Sequence, residues 1–192
     1  MAKRVPGERR KEILQTLAQM LENPKGEKIT TALLASRLDV SEAALYRHFA
    51  SKAQMFEGLI EFVEETVFSL VKKIQTEEPN GMKQVEATVS MLLSFAQKNP
   101  GMTRVLIGDA LVNEDDRLQL RMNQLHDRLE ASLRQSARTA AADGALHTSL
   151  DANIYANAVM AFIVGRWHQF AKSGFKRLPL DNFGQSWSVF AG

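Results

Sequence analysis

The sequence predicts an all-α protein in which three short helices lead into a larger helical body. Two observations carry that prediction. Apolar residues recur at three- and four-residue spacing almost throughout, with no segment alternating convincingly at period two. Breaks containing Pro, Gly and Asn then cut the chain into helix-length pieces. At 192 residues the chain is long enough for one ample core, or for a small head joined to a body.

The first helix is expected from about Arg9 to Glu22, burying Ile13, Leu14, Leu17, Met20 and Leu21. Asn23-Pro24-Lys25-Gly26 should end it, because proline cannot continue a helix and glycine takes the turn. Thr30 or Thr31 can cap a second helix ending near Leu38, and Ser41 a third running to about Phe49. A long fourth helix, about Ala53 to Glu77, carries a continuous stripe from Phe56 through Leu59, Ile60, Val63, Val67, Leu70 and Val71 to Ile74. Pro79-Asn80-Gly81 breaks it, and a fifth helix covers Met82 to Lys98. After Asn99-Pro100-Gly101 a short sixth reaches about Gly108. Asp115 and Asp116 suit the positive N-terminal end of a seventh helix, which runs to the Ala-rich stretch before Asp143-Gly144. An eighth is expected from Ser149 to about Lys172 and a short ninth from Phe183 to Phe190.

Charge is unevenly distributed. Of 24 Lys and Arg and 22 Asp and Glu, residues 1–52 hold ten and six, leaving 14 and 16 for residues 53–192. A head at +4 is thus joined to a body at −2, the asymmetry expected of an electrostatic DNA footprint at one end. Cysteine is absent, which excludes disulfides and thiolate metal sites. With no export-type apolar run behind the basic N-terminus, a soluble, unexported protein without a membrane partner is expected.

The informative segment is Thr30 to Lys52, TTALLASRLDVSEAALYRHFASK. Two helices joined only by Asp39-Val40 must cross steeply, with a small residue at the contact and apolar anchors around it. Ala35 fits the contact, and Leu34, Leu38, Val40 and Leu45 the anchors. The second helix of such a pair lies in the DNA major groove, placing Ser41, Glu42, Ala43 and Ala44 at the base edges. Thr30, Thr31, Tyr46, Arg47, His48 and Lys52 are candidates for phosphate.

SEAALYRHFASK following TTALLA at this spacing resembles the head of the TetR family of bacterial regulators. The resemblance implies a TetR-like fold: a three-helix DNA-binding head, 1–52, and a helical core, 53–192, for dimerisation and partner binding. It also implies a homodimer, formed through the last two long helices, on near-palindromic duplex DNA. Thr30, Thr31, Ser41, Tyr46 and Lys52 match positions used for DNA contact. Asp39 stands where glycine is commoner, but aspartate tolerates positive φ, so the turn should survive. Ala50 stands where many members have proline.

Further segments resemble one branch of the family, the nucleoid occlusion factors. They are RRKEILQTLAQMLE, MFEGLIEFVEE, FAQKNPGMTRVLIGDAL and DRLQLRMNQLHDRLEASLRQ, and the likeness fades after about Thr139. That branch binds dispersed chromosomal sites and, when DNA-bound, engages the C-terminal tail of the tubulin-like protein FtsZ, antagonising division-ring assembly over the nucleoid. The resemblance puts the tail between the fourth and fifth helices, where Phe62, Met91, Lys98 and Asn99 match positions of that groove and Leu70 occupies a further one. Leu70 replaces a basic residue of the branch, so an acidic tail would rely on Lys72, Lys73 or Lys98. Independently, Phe62 lies about 100° round its helix from Val63, out of step with the core stripe, and an exposed aromatic suits a peptide anchor. Met91 and Phe95 leave the fifth helix apolar nearly all round, so it needs two partners, or one partner and a ligand.

An enzyme is not expected. His48, His126, His147 and His168 stand apart without a carboxylate pattern, there is no Gly-rich phosphate loop, and no metal or cofactor is implied. Trp167 and Trp187 read as core or dimer-seam residues. The competing reading is a ligand-responsive repressor with an apolar pocket lined by Met82, Met91, Phe95, Met102, Met122, Met160 and Phe162.

Overall fold

Helix boundaries in the computed structural model follow from capping chemistry. It describes residues 7–23, 29–146 and 151–191. The expected break at Pro24, Lys25 and Gly26 and the expected helix start at Ser149 lie outside them, as does His147. Regular structure among the described residues is helical: α1 (Glu8–Leu21), α2 (Thr31–Arg37), α3 (Glu42–Tyr46), α4 (Lys52–Glu77), α5 (Gly81–Lys98), α6 (Pro100–Leu106), α7 (Asp116–Ala142), α8 (Ala152–Lys172) and α9 (Phe183–Ala191). A 3-10 turn over Asp109–Leu111, not anticipated from sequence, joins α6 to α7. None of these helices is long and apolar enough to cross a membrane.

Thr30 Oγ1 accepts from the Leu33 amide at 3.1 Å and Ser41 Oγ from the Ala44 amide at 3.3 Å, capping α2 and α3. Asp39 turns the chain between them at φ 52°. Asp115 caps α7 by accepting from the Arg117 amide at 3.1 Å. Two helices end earlier than expected. α3 stops at Tyr46 rather than near Phe49 because Phe49 swings into the core. Its ring lies 4.2 Å under the Arg10 guanidinium, which also donates to the His48 carbonyl at 3.3 Å. α6 stops at Leu106, and the chain leaves it through Gly108 at φ 78°, a conformation glycine adopts without penalty.

The body is organised around α5, which packs on α4, α6, α7, α8 and α9. This crowding answers the apolar character of α5: the chain itself covers most of the helix, and Phe95, expected as a pocket wall, is only 8% exposed. Met122 and Met160 are buried in the same core. Trp167 is buried too, its indole N–H donating to the Leu92 carbonyl at 3.3 Å.

The head is bolted to this body. A Cβ on Gly101, in the first turn of α6, would sit 2.0 Å from the Ala18 carbonyl oxygen, so α1 and α6 touch backbone to backbone. Arg104 then donates to carbonyls at the end of α1, Leu21 at 3.4 Å and Asn23 at 3.3 Å, where the helix ladder supplies no donor. One contiguous set of buried side chains runs from Ile13 in α1 to Trp187 in α9.

Candidate nucleic-acid interface and partner groove

The turn at Asp39 brings the start of α2 against α3. Tyr46 Oη donates to Thr31 Oγ1 at 3.5 Å, and Thr31 Oγ1 donates to Glu42 Oε2 at 2.5 Å. Thr31, Glu42 and Tyr46 are therefore one hydrogen-bonded chain spanning the two helices, and Tyr46 stays 46% exposed. Thr30 and Ser41 use their side-chain oxygens as acceptors in the caps, while Thr31 joins the chain. Beneath this surface Leu34, Ala35 and Leu45 are buried, as the small contact residue and its anchors require, and Leu38 and Val40 are partly buried. Ala44 is partly exposed on the same short helix, and Arg47 and His48 are exposed in the turn that follows it.

Lys52 is placed differently. It opens α4, its ammonium lies 5.6 Å over the Phe56 ring, and it forms an ion pair with Glu114 in the segment leading into α7. Both partners are largely covered, so the one candidate phosphate ligand on α4 is already held by the body. Sequence reasoning missed Glu114 and Arg10, each of which acts across a long sequence separation. It also missed Ser51, whose Oγ accepts from the Gln54 amide at 3.2 Å while Gln54 Oε1 accepts from the Ala50 amide at 2.8 Å. The Ser-x-x-Gln spacing was the available signal for that cap.

In the body, α4 and α5 form a hairpin through residues 78–80. Phe62 is 47% exposed and Leu70 38% exposed, two of the large apolar side chains that the core does not cover. Phe62 and Asn99 share one cleft, of about 600 Å³, whose floor includes Leu59 and Met102. Asn99 commits its side-chain amide to the Phe95 carbonyl at 2.7 Å, fixing the corner between α5 and α6. Lys72 and Lys98 are exposed, whereas Lys73 lies 4.0 Å from Glu77.

Elsewhere in the body, burial controls two titrating groups. His126 sits on α7 with its ring 5.9 Å from Trp167 and no partner for Nε2 among the described residues. Burial holds its pKa below 6.5, against the opposing effect of a hydrogen bond with the Leu106 backbone. Burial likewise pushes the Tyr155 hydroxyl up to about 12.

Comparison with known proteins agrees with this architecture at two levels. Residues 27–59 match the family described as bacterial regulatory proteins, tetR family, and residues 79–192 match the SlmA-like form of the tetracyclin repressor-like C-terminal domain. Among solved structures, the TetR family transcriptional regulator PfmR from Thermus thermophilus superposes with a TM-score of 0.78 at 20% identity, covering 93% of this chain and 96% of that one. At that identity the match shows the fold alone. Curated relatives are far nearer in sequence. The nucleoid occlusion factor SlmA of Idiomarina loihiensis is 50% identical over 94% of this chain and 92% of its own. That of Alteromonas mediterranea is 48% identical over 95% of this chain and 93% of its own. With head and body both matched, the chain belongs to the TetR family of bacterial regulatory proteins, in the branch formed by the SlmA nucleoid occlusion factors.

Proposed function

We propose that this protein is a DNA-binding nucleoid occlusion factor which, once on chromosomal sites, engages the C-terminal tail of FtsZ and antagonises division-ring assembly over the nucleoid. The observation that carries the proposal is the identity near 50% through the whole body as well as the head, to relatives named for that role. Regulators of this family are DNA-binding proteins and not enzymes.

The division of labour is residues 1–52 for DNA and 53–192 for dimerisation and partner. Thr30, Thr31, Ser41, Ala44, Tyr46, Arg47 and His48 form the DNA face. Ser41 and Ala44 lie near the bases, and the hydroxyls and cations lie near phosphate. Lys52 joins them by exchanging Glu114 for a phosphate oxygen. A homodimer on a near-palindromic site is supported by the outer face of α8, where Ile154, Ala158 and Ala161 are exposed and Gly165 has open space around it. Such a row of small and apolar side chains allows close helix approach. The tail occupies the α4–α5 groove, with exposed Phe62 and Leu70 of α4 as apolar anchors and with Met91, Lys98 and Asn99 contributed from α5 and its C-terminal end. The nucleoid is the corresponding location.

The test is the affinity of a labelled FtsZ-tail peptide for the full-length protein with and without cognate duplex. Duplex should raise that affinity, and Phe62→Ala should lower it about tenfold or more, the usual loss at an interface hot spot, while duplex affinity is unchanged. Peptide binding indifferent to both would refute the proposal. A small molecule that releases the duplex and raises thermal stability would establish the ligand-responsive repressor in its place.

A further inference from the structure

On the DNA face, α3 presents few groups able to read a base. Leu45 is buried, Ala43 and Ala44 end in methyls, and Ser41 Oγ accepts from the Ala44 amide in the cap. Tyr46 closes the helix with its hydroxyl turned to Thr31 on α2. Glu42 is therefore the one long polar side chain in the first turn of α3, and it is exposed. Its carboxylate is held from the neighbouring helix: Thr31 Oγ1 donates to Oε2 at 2.5 Å, and Tyr46 Oη donates to that same Thr31 oxygen at 3.5 Å. None of the ion pairs among the described residues includes it. A negative group on a face that meets phosphate costs affinity for any duplex, unless the DNA gives it a hydrogen bond.

We infer that Glu42 is a base-reading residue of the helix-turn-helix and that it selects cytosine, its carboxylate accepting from the exocyclic N4 amine in the major groove. The inference rests on the reading of α2 and α3 as the DNA face, and names the side chain there that carries sequence information. An ionised carboxylate only accepts, so guanine O6 and N7 and thymine O4 repel it. Two amines face the major groove, one on cytosine and one on adenine, and adenine sets the N7 acceptor beside its own. Cytosine offers the amine without an acceptor on the same base edge, and is the base a carboxylate fits. The Thr31 hydroxyl, by holding Oε2, restricts a long and flexible side chain before DNA arrives and leaves Oε1 for the base. The charge that reads the base also opposes contact made through phosphate alone, so Glu42 favours discrimination over tight binding in general.

The test uses the full-length protein and a duplex that the wild type selects from a random-sequence pool. A panel then changes each position of that duplex, symmetrically in both halves, to the other three base pairs, and affinities are read by fluorescence anisotropy at fixed salt. In the wild type one position should favour cytosine about tenfold or more over every other base. Glu42→Ala should flatten that position to within about twofold while preferences at the other positions persist. Glu42→Gln should move the preference there to adenine, whose N6 and N7 the amide matches. A change of base preference at a single position is what a loss of local structure or of one surface charge would not produce. If Glu42→Ala scales all duplexes by one factor, or blurs several positions alike, Glu42 reads no base and the inference fails alone. If the wild type binds no duplex, the reading of α2 and α3 as the DNA face fails and takes the inference with it.

Discussion

Replacing Gly101 with alanine tests how the head is attached to the body. In an unhindered first helical turn the change stabilises by up to about 1 kcal/mol, since alanine restricts the unfolded chain and favours helix. Here the new Cβ would stand 2.0 Å from the Ala18 carbonyl oxygen and 3.2 Å from the Leu21 Cβ. A carbon–oxygen contact needs roughly 3.3 Å, so α1 must retreat from α6 by more than about 1 Å. Overpacking of that kind costs about 1–3 kcal/mol. The retreat also stretches the two Arg104 hydrogen bonds to Leu21 and Asn23, already 3.4 and 3.3 Å long. Charged donors to backbone carbonyls contribute about 1.5–3 kcal/mol each when well made, so losing part of them brings the total to about 3 kcal/mol. For a chain of this length that lowers Tm by about 6–12 °C, measured by calorimetry or circular dichroism with a denaturant series as a check. The expected sign is opposite to that of helix propensity. A Gly101→Ala protein with unchanged or raised Tm would refute the argument that the two backbones are in contact.

Two further outcomes follow from pairs that cross the fold. Lys52→Ala should lower duplex affinity uniformly across sequences and reduce the salt slope by about 1, whereas Glu114→Gln, which removes the competing carboxylate, should tighten duplex binding at every sequence. An unchanged slope in Lys52→Ala removes that residue from the phosphate contacts. His126, whose folded pKa is depressed by burial, stays neutral in the native state when the unfolded chain begins to take up a proton. Stability should therefore be full above about pH 6.5 and fall as pH drops below it, flattening once the folded-state pKa is passed. Denaturant midpoints measured between about pH 7.5 and about pH 5 should show that slope, and His126→Leu should lose most of it. A slope that persists in the variant assigns the effect to another group.

What the sequence made legible was local. Helical periodicity marks α4 and α7 almost to the residue, and short-range chemistry marks the caps at Thr30, Ser41 and Asp115 and the positive-φ turn at Asp39. The exposure of Phe62 was readable too, because a residue about 100° off a continuous stripe has nowhere in that stripe to go. Phe95 was not readable: α5 is apolar on most sides, and only the positions of its neighbours decide which of them is buried. The contact of Arg10 with the end of the helix-turn-helix joins residues 38 positions apart, and the ion pair of Lys52 with Glu114 joins residues 62 positions apart. Pairings at such separations leave no mark on composition or spacing.

The continuous run of buried side chains from Ile13 to Trp187 has a consequence for how such proteins diverge and how they can be re-engineered. Head and body are not interchangeable parts joined by a tether, because each completes the interior of the other. A chimaera carrying another regulator's first fifty residues would inherit unmatched volumes against Gly101 and Met102, and no counterpart to Arg104. Specificity for a new DNA sequence is therefore better sought by changing the exposed face of α2 and α3 than by exchanging the domain. Substitutions on the inner face of α1 should be accompanied by compensating ones on α6, even though the two helices are some eighty residues apart in the chain.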